Sequence, residues 1–259
     1  MNNINGLTID YILDYIHLVN VPCTDNGKKF IENQRVKRIE TLFKHSDYLL
    51  TKKASLSRIY EHINLDRQKP IIIVSCHIDA LYPYYCCSRW DTCDSTKSSF
   101  IGTFDNSACC AILCYLMENN KLPPNVIVAF TGNEEQDGKG AKQVSKYLKK
   151  EYKDCNVRYI ISLDLTNYFY NKKHYTIENI YGCYQEGTFG LILPEAGIMG
   201  DAAPDDSCTY KKYFPCFSMC LPCENIGEDM HSIQGVRILQ NSLVMFSDAL
   251  QYLLERELR

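Results

Sequence analysis

Ile71-Ile72-Ile73-Val74-Ser75-Cys76-His77-Ile78-Asp79 is the stretch on which the fold turns. A run of β-branched residues directly after Pro70 predicts a strand buried on both faces, because only a strand covered above and below can be apolar at every position. The run stops at a histidine and a carboxylate spaced by one residue, which puts His77 at a carboxyl-terminal strand end. Open α/β sheets bind ligands in the crevice outside such ends. A His-x-Asp pair there can hold a metal, with the imidazole as ligand and Asp79 fixing its tautomer. Taken alone, a histidine after an apolar run is more often a hydrogen-bonded core or edge residue than a metal ligand.

Working outward, two further apolar runs repeat the pattern. Val126-Ile127-Val128-Ala129-Phe130, bounded by Pro123-Pro124 and Gly132, leads into Asn133-Glu134-Glu135, and Tyr159-Ile160-Ile161-Ser162-Leu163 leads into Asp164. Helical spacing separates them: Ala108, Ala111, Ile112, Tyr115 and Leu116 predict a helix from Asp105 to Asn119-Asn120, and a second is expected from about residue 141 to 150. Towards the amino terminus, Thr8 can cap a helix with Ile9, Ile12, Leu13 and Ile16 on one side. A longer helix is expected over roughly residues 27 to 45, with Val36, Ile39, Leu42 and Phe43 inward, and residues 48 to 63 read as a β-hairpin. Leu81 to Phe100 shows no period and is expected to be one long loop. Beyond Asp164, strands are expected near Thr176–Ile180 and Cys216–Leu221, and a helical stripe of Val236, Leu239, Leu243, Phe246, Leu250 and Leu253 runs to the end. Strands alternating with helices predict an α/β fold with a mixed, mostly parallel sheet and helices on both faces. No linker or repeat interrupts the pattern, so residues 1–259 are expected to form one domain.

A chain of 259 residues that is 46% hydrophobic can bury a large core. With 28 basic against 31 acidic residues there is no basic footprint for nucleic acid and no polybasic patch for a membrane. The amino terminus lacks the features of a secretory signal and no apolar run reaches the roughly 18 residues that span a bilayer, so a cytoplasmic protein is expected. The 14 cysteines are scattered, several within apolar runs, and read as reduced, buried small hydrophobes. Cys216-x-x-x-Cys220-x-x-Cys223 copies an iron–sulfur spacing, but the residues around it read as a strand, whereas cluster cysteines need a loop that folds around the iron. Cys86, Cys87 and Cys93 read as loop thiols, with a structural metal as the alternative.

Each candidate ligand has an ordinary reading: Asp105 as a helix N-cap, Glu134 and Glu135 as a solvated pair, Asp164 as a turn former, His231 as a surface residue. As a set, His77, Asp79, Asp105, Glu134, Glu135, Asp164 and His231 fall at one sheet edge. Carboxylates with imidazole suit Zn²⁺, and an excess of carboxylates with one able to bridge suits a two-metal hydrolytic centre.

These residues resemble a family. His77-Ile78-Asp79, Gly102-Thr103-Phe104-Asp105-Asn106, Thr131-Gly132-Asn133-Glu134-Glu135 with Gly138 and Gly140-Ala141, Ser162-Leu163-Asp164 and Met230-His231-Ser232 are similar, in order and spacing, to the five motifs of the co-catalytic zinc exopeptidases of the M28, M42 and M20 families. The likeness runs from about residue 70 to the end. Asp205 to Pro215 also resembles the family's Asp-containing loop, although Tyr213-Phe214-Pro215 lacks the usual glycine before the proline. The resemblance implies a zinc-dependent exopeptidase fold and two Zn²⁺ ions, with Co²⁺ or Mn²⁺ as substitutes. One ion would be held by His77 and Asp164, the other by Glu135 and His231, and both bridged by Asp105. Asp79 would stand behind His77, and Glu134 would be the general base. The chain is too short for the inserted domain of M42 and M20 enzymes, which favours the M28 pattern.

The leading expectation is thus an aminopeptidase acting on peptides, compatible with a homo-oligomer. The alternatives are a glutaminyl cyclase-like mono-zinc acyltransferase and a non-catalytic homologue.

Overall fold

A computed structural model describes residues 14–15, 34–43, 46–81, 87–90, 98–167, 173–184, 197–200, 205–228, 230 and 234–259. The helix expected after Thr8 falls outside these apart from Asp14 and Tyr15, which are helical. Elements follow in the order α1 (Gln34–Leu42), β1 (Tyr48–Lys53), β2 (Ser57–His62), β3 (Ile71–His77), β4 (Cys87–Trp90), β5 (Ser99–Gly102), α2 (Ser107–Glu118), β6 (Val126–Thr131), α3 (Lys139–Glu151) and β7 (Val157–Thr166). Then come β8 (Tyr175–Glu178), β9 (Gly197–Gly200), α4 (Ser207–Tyr210), β10 (Cys216–Pro222), β11 (Glu224–Asn225), β12 (Val236–Leu239) and α5 (Gln240–Glu257).

The main sheet has eight strands in the order β1-β2-β6-β3-β7-β10-β8-β9. Its centre, β6-β3-β7-β10, is parallel, while β1-β2 and β2-β6 pair antiparallel, as do β10 and β8. This is the mixed, mostly parallel arrangement that the sequence predicts. Every residue of β3 and β6 is buried, and alternate residues feed two cores. Ile72, Val74, Val128 and Leu163 pack on the side holding α2 and α5. Ile71, Ile73, Ile127 and Ile160 pack with Ala141, Val144 and Leu148 of α3 and with Tyr210 of α4. Truncating one such isoleucine to alanine costs ~2–5 kcal/mol, since the covered sheet cannot collapse into the hole.

Two expectations are corrected. The stretch from Leu81 to Phe100 contains β4 and the start of β5, which join β12 and β11 in a four-stranded antiparallel sheet ordered β11-β12-β5-β4. Four-residue strands carry too little local signal, and their pairing partner β12 is more than 130 residues away in sequence. For the same reason Val236 and Leu239 do not begin the last helix; they pair with Gly102 and Ser99 across β5, and the helix starts at Gln240. Gly235 makes this approach workable. It has φ of 71°, and a Cβ there would lie 2.1 Å from the Gly102 carbonyl oxygen, a distance no side chain tolerates.

Cys216 and Cys220 lie on β10 and, with Cys223 just beyond, are buried free thiols on an extended backbone, as the sequence suggests. The short elements β9, α4 and β11 also escape sequence reading.

Candidate metal centre

Strand register assembles the site. His77 lies opposite Thr131 on β6, and because Cys76 lies opposite Leu163 on β7, the next residue pair is His77 and Asp164. Cys220 of β10 lies opposite Asp164 on the other side. The ends of β3 and β6 thus bring His77 and the Glu134-Glu135 turn to one edge, and Asp164 joins them from within β7, which does not stop there as the sequence suggests but runs on to Thr166 because β10 continues to pair with it. Asp105 arrives from the junction between β5 and α2, where the Asp105–Asn106 peptide is cis. Asn106 is fully buried and donates from Nδ2 to the Leu163 carbonyl at 2.7 Å, which fixes this junction to β7. Asp105 itself is not the helix cap; Asn106 occupies that place.

The turn after β6 is held tightly. Gly132 N–H donates to the Leu56 carbonyl, and Gly140 N–H to the Gly132 carbonyl, each at 3.0 Å. A Cβ on Gly140 would meet the Gly132 oxygen at 2.5 Å, so only glycine lets α3 start this close to β6. Asp79 then receives both turn amides: Glu134 N–H on Oδ1 and Glu135 N–H on Oδ2, each at 3.3 Å. Its Oδ1 is also 3.6 Å from His77 Nδ1. One carboxylate therefore ties the end of β3 to the glutamate turn and faces the imidazole from behind, the arrangement that orients a metal-binding histidine.

On the opposite ring nitrogen, His77 Nε2 lies 3.3 Å from Asp105 Oδ1 and 3.3 Å from Asp164 Oδ1. Ligand atoms of His77, Asp105 and Asp164 all fall within 4.8 Å of one another, and so do those of His77, Glu134 and Glu135. Ligands on a tetrahedral zinc at 2.0–2.2 Å stand about 3.4 Å apart, so the spacing and the oxygen–nitrogen chemistry of the first group fit that ion. The whole borders a cavity of about 230 Å³, whose wall also includes Leu165, Glu178, Asp205, Cys220 and Met230.

The electrostatics suit a cation-binding cluster. Burial pushes the Glu134 carboxyl up to about 8, and burial together with Asp105 pushes Glu135 to about 9. Asp164 is raised to about 6, mainly by burial. Burial disfavours a charge on His77, but Asp164, Asp105 and Asp79 outweigh it and hold the imidazole pKa well above its usual range. Burial would raise Asp79 too, yet His77 and the two turn amides keep it below the carboxylate norm. So many carboxylates cannot ionise together in a half-dry cavity unless protons or a cation offset their charge.

Of the residues singled out from sequence, the structure brings together His77, Asp79, Asp105, Glu134, Glu135 and Asp164; His231 lies outside the described residues, as do Cys86 and Cys93. Sequence reading passed over Glu178 and Asp206. Glu178 reaches the cavity only through the antiparallel pairing of β8 with β10, for which no local signal exists. Asp206 is buried, accepts from Thr131 Oγ1 at 2.6 Å and is pushed up to about 7 by burial. It sits in the loop singled out between Asp205 and Pro215, where an acidic pair before an apolar strand was the available sign.

A mixed sheet whose parallel strands end in one imidazole and a ring of carboxylates defines a hydrolase-like centre able to hold divalent metal. The sequence profile of Peptidase family M28 matches residues 58–188, half of the chain, and the protein belongs to that family; it is a peptidase. No curated protein sequence matches the chain. Among solved structures, the TET1 peptidase of Pyrococcus horikoshii is 13% identical with a TM-score of 0.63, the match covering 95% of this chain and 99% of that one. The LapA aminopeptidase of Legionella pneumophila is 11% identical with a TM-score of 0.61, over 98% of this chain and 71% of that one. BSAP, a zinc aminopeptidase from Bacillus subtilis, is 11% identical with a TM-score of 0.55, over 78% and 49%. At these identities the likeness establishes the fold.

Proposed function

We propose that the chain is an aminopeptidase that uses two divalent ions, zinc being the natural choice, to hydrolyse the amino-terminal bond of peptides, and that its 259 residues act as one catalytic domain. The observation that carries this reading is His77 Nε2 equidistant, at 3.3 Å, from Asp105 and Asp164, with Glu134 and Glu135 held beside them by Asp79. His77 and Asp164 would hold one ion, Glu135 and His231 the other, and Asp105 both. When bound, such ions polarise a carbonyl and make a water molecule acidic enough to be deprotonated near neutral pH.

The protein's own groups supply the rest. Glu134, on the half-buried turn beside the cluster, would take the proton from the attacking water and return it to the leaving amine. Asp79 keeps His77 in the tautomer that presents Nε2 to the cavity. A cavity of about 230 Å³ admits the end of a peptide and not a folded chain. The acidic wall formed by Glu178 and Asp205 suits a positively charged amino terminus. The TET1 peptidase is described as assembling into large shells; a homo-oligomer is the corresponding proposal here, to be read from solution mass.

The test is a panel of aminoacyl fluorogenic substrates and a glutaminyl peptide, with elemental analysis of the same protein. Release of amino-terminal residues with close to two ions per chain is the expected result. One tightly held ion together with cyclisation of the glutaminyl peptide would overturn the aminopeptidase reading in favour of the acyltransferase, and loss of both reactions at full metal occupancy would leave a non-catalytic homologue.

A further inference from the structure

A second cavity, of about 440 Å³, lies away from the acidic one, between the solvent face of α3 and the turn after α4. Lys142, Lys146, Lys149 and Lys150 line it from α3, all exposed, at positions i, i+4, i+7 and i+8 of one helical face. Opposite them stand Thr209 and Tyr213, and Lys149 Nζ rests 3.8 Å from the centre of the Tyr213 ring.

Like charges three and four residues apart repel, so this face costs the helix stability unless something neutralises it. The neighbouring acidic residues engage its two ends: Asp137 pairs with Lys139 and accepts from Lys142 Nζ at its backbone carbonyl, 2.6 Å away, and Glu151 pairs with Lys150. Among the described residues neither Lys146 nor Lys149 has an ion-pair partner. The concentration stands against a net charge of -3 for the whole chain.

A separate observation points to a ligand. Ser145 lines the same cavity, is only 2% exposed, and its hydroxyl has no hydrogen-bond partner. A helix serine normally returns its hydroxyl to the carbonyl four residues back, and a buried polar atom left without a partner carries a desolvation cost that a bound acceptor removes.

We infer that the cavity between α3 and the turn after α4 binds a small anion carrying two or more phosphate groups. Lysine ammonium groups would neutralise the phosphates from Lys142, Lys146 and Lys149, while the Ser145 hydroxyl donates to a phosphate oxygen. Lysines act as point charges on flexible stems, which suits a string of phosphates better than one rigid carboxylate. The site is distinct from the proposed catalytic centre and does not depend on it.

Titration calorimetry of the full chain at low salt tests this with tripolyphosphate, ATP and inorganic phosphate. Tripolyphosphate and ATP should bind with similar affinity, at least ~10-fold tighter than inorganic phosphate, and lose affinity as salt is raised. Lys146→Gln combined with Lys149→Gln should weaken both by ~10-fold or more, and Ser145→Ala by ~10-fold, the usual worth of a hydrogen bond to a charged partner. Circular dichroism and melting of these variants confirm that the fold is intact; if the glutamine pair fails to fold, Ser145→Ala alone carries the test. Asp105→Asn should leave binding unchanged, which separates the site from chelation or binding at the acidic cavity. Binding that survives both the lysine and serine changes, or disappears with Asp105→Asn, overturns the assignment. Binding of ATP without tripolyphosphate shows recognition of the nucleoside and overturns the phosphate class, as does failure of both to exceed inorganic phosphate.

Discussion

Two cavities of opposite charge share the stretch of chain around α4. Asp205, just before this short helix, lines the acidic cavity, and Thr209 within it lines the lysine cavity. They are built differently. The lysine face is a single helix read at 3.6-residue spacing, so its composition is local. The acidic cavity gathers residues from His77 to Met230, several of them through strand register; its two glutamates sit on a turn whose amides donate to Asp79, and their carboxyls are raised in pKa mainly by burial. The lesson is one of sensitivity: a solvated charge tolerates exchange, whereas a charge held in a dry turn by its neighbours does not.

The largest expected effect is at the glutamate turn. Glu134→Gln preserves size and hydrogen bonding but cannot accept a proton, so turnover should fall by about 10²–10⁴-fold with metal content unchanged. Glu135→Gln should lose metal first and be rescued by added metal. Measuring metal and turnover side by side decides between them; loss of metal in Glu134→Gln alone would exchange the two roles.

Asp79→Ala should be milder. Removing the carboxylate behind a metal-binding histidine costs about 10–100-fold in metal affinity or activity, and excess metal should restore part of it. An Asp79→Ala protein that matches the parent would show that His77 does not bind metal.

Metal removal should reveal the protons stored in the acidic cavity. In the metal-free fold Glu134 and Glu135 titrate near 8 and 9 against an ordinary 4.5, and Asp164 and Asp206 near 6 and 7 against 3.8. The folded chain therefore holds more protons than the unfolded one, so stability present at acid pH is lost as pH rises from about 4 towards 9. His77, whose pKa is also raised, acts in the same direction; Asp79, lowered, opposes it only at the acid end. A cation replaces those protons. Zinc at roughly 1,000 times its dissociation constant would add ~4 kcal/mol, on the order of 10 °C in melting temperature, with a larger gain at about pH 8 than at about pH 5.5. Equal melting shifts at the two pH values would contradict this account.

The smallest effect belongs to the lysine face. Lys146→Gln with Lys149→Gln should leave peptide turnover within about twofold and change stability by no more than ~0.5 kcal/mol, as expected for exposed positions. A loss of turnover comparable to that of Asp79→Ala would show that the two cavities are not independent.

The sequence by itself determined the existence of β3, β6 and β7, because burial on both faces demands apolar residues at every position; it did not mark where β7 ends, since that strand passes Asp164 and continues to Thr166. It also determined α2, α3 and most of α5 through their periodicity. Tertiary structure decided what pairs with what. Residues 87–90, 99–102 and 236–239 become strands only when β5 receives partners on both sides, and a helical stripe that includes Val236 and Leu239 gives no warning of it. The distance of His77 from Asp105 and Asp164, the capture of the Glu134 and Glu135 amides by Asp79, and the arrival of Glu178 at the cavity are matters of register. Register depends on side chains meeting across strands far apart in sequence, and a single chain read along its length carries the residues but not the alignment.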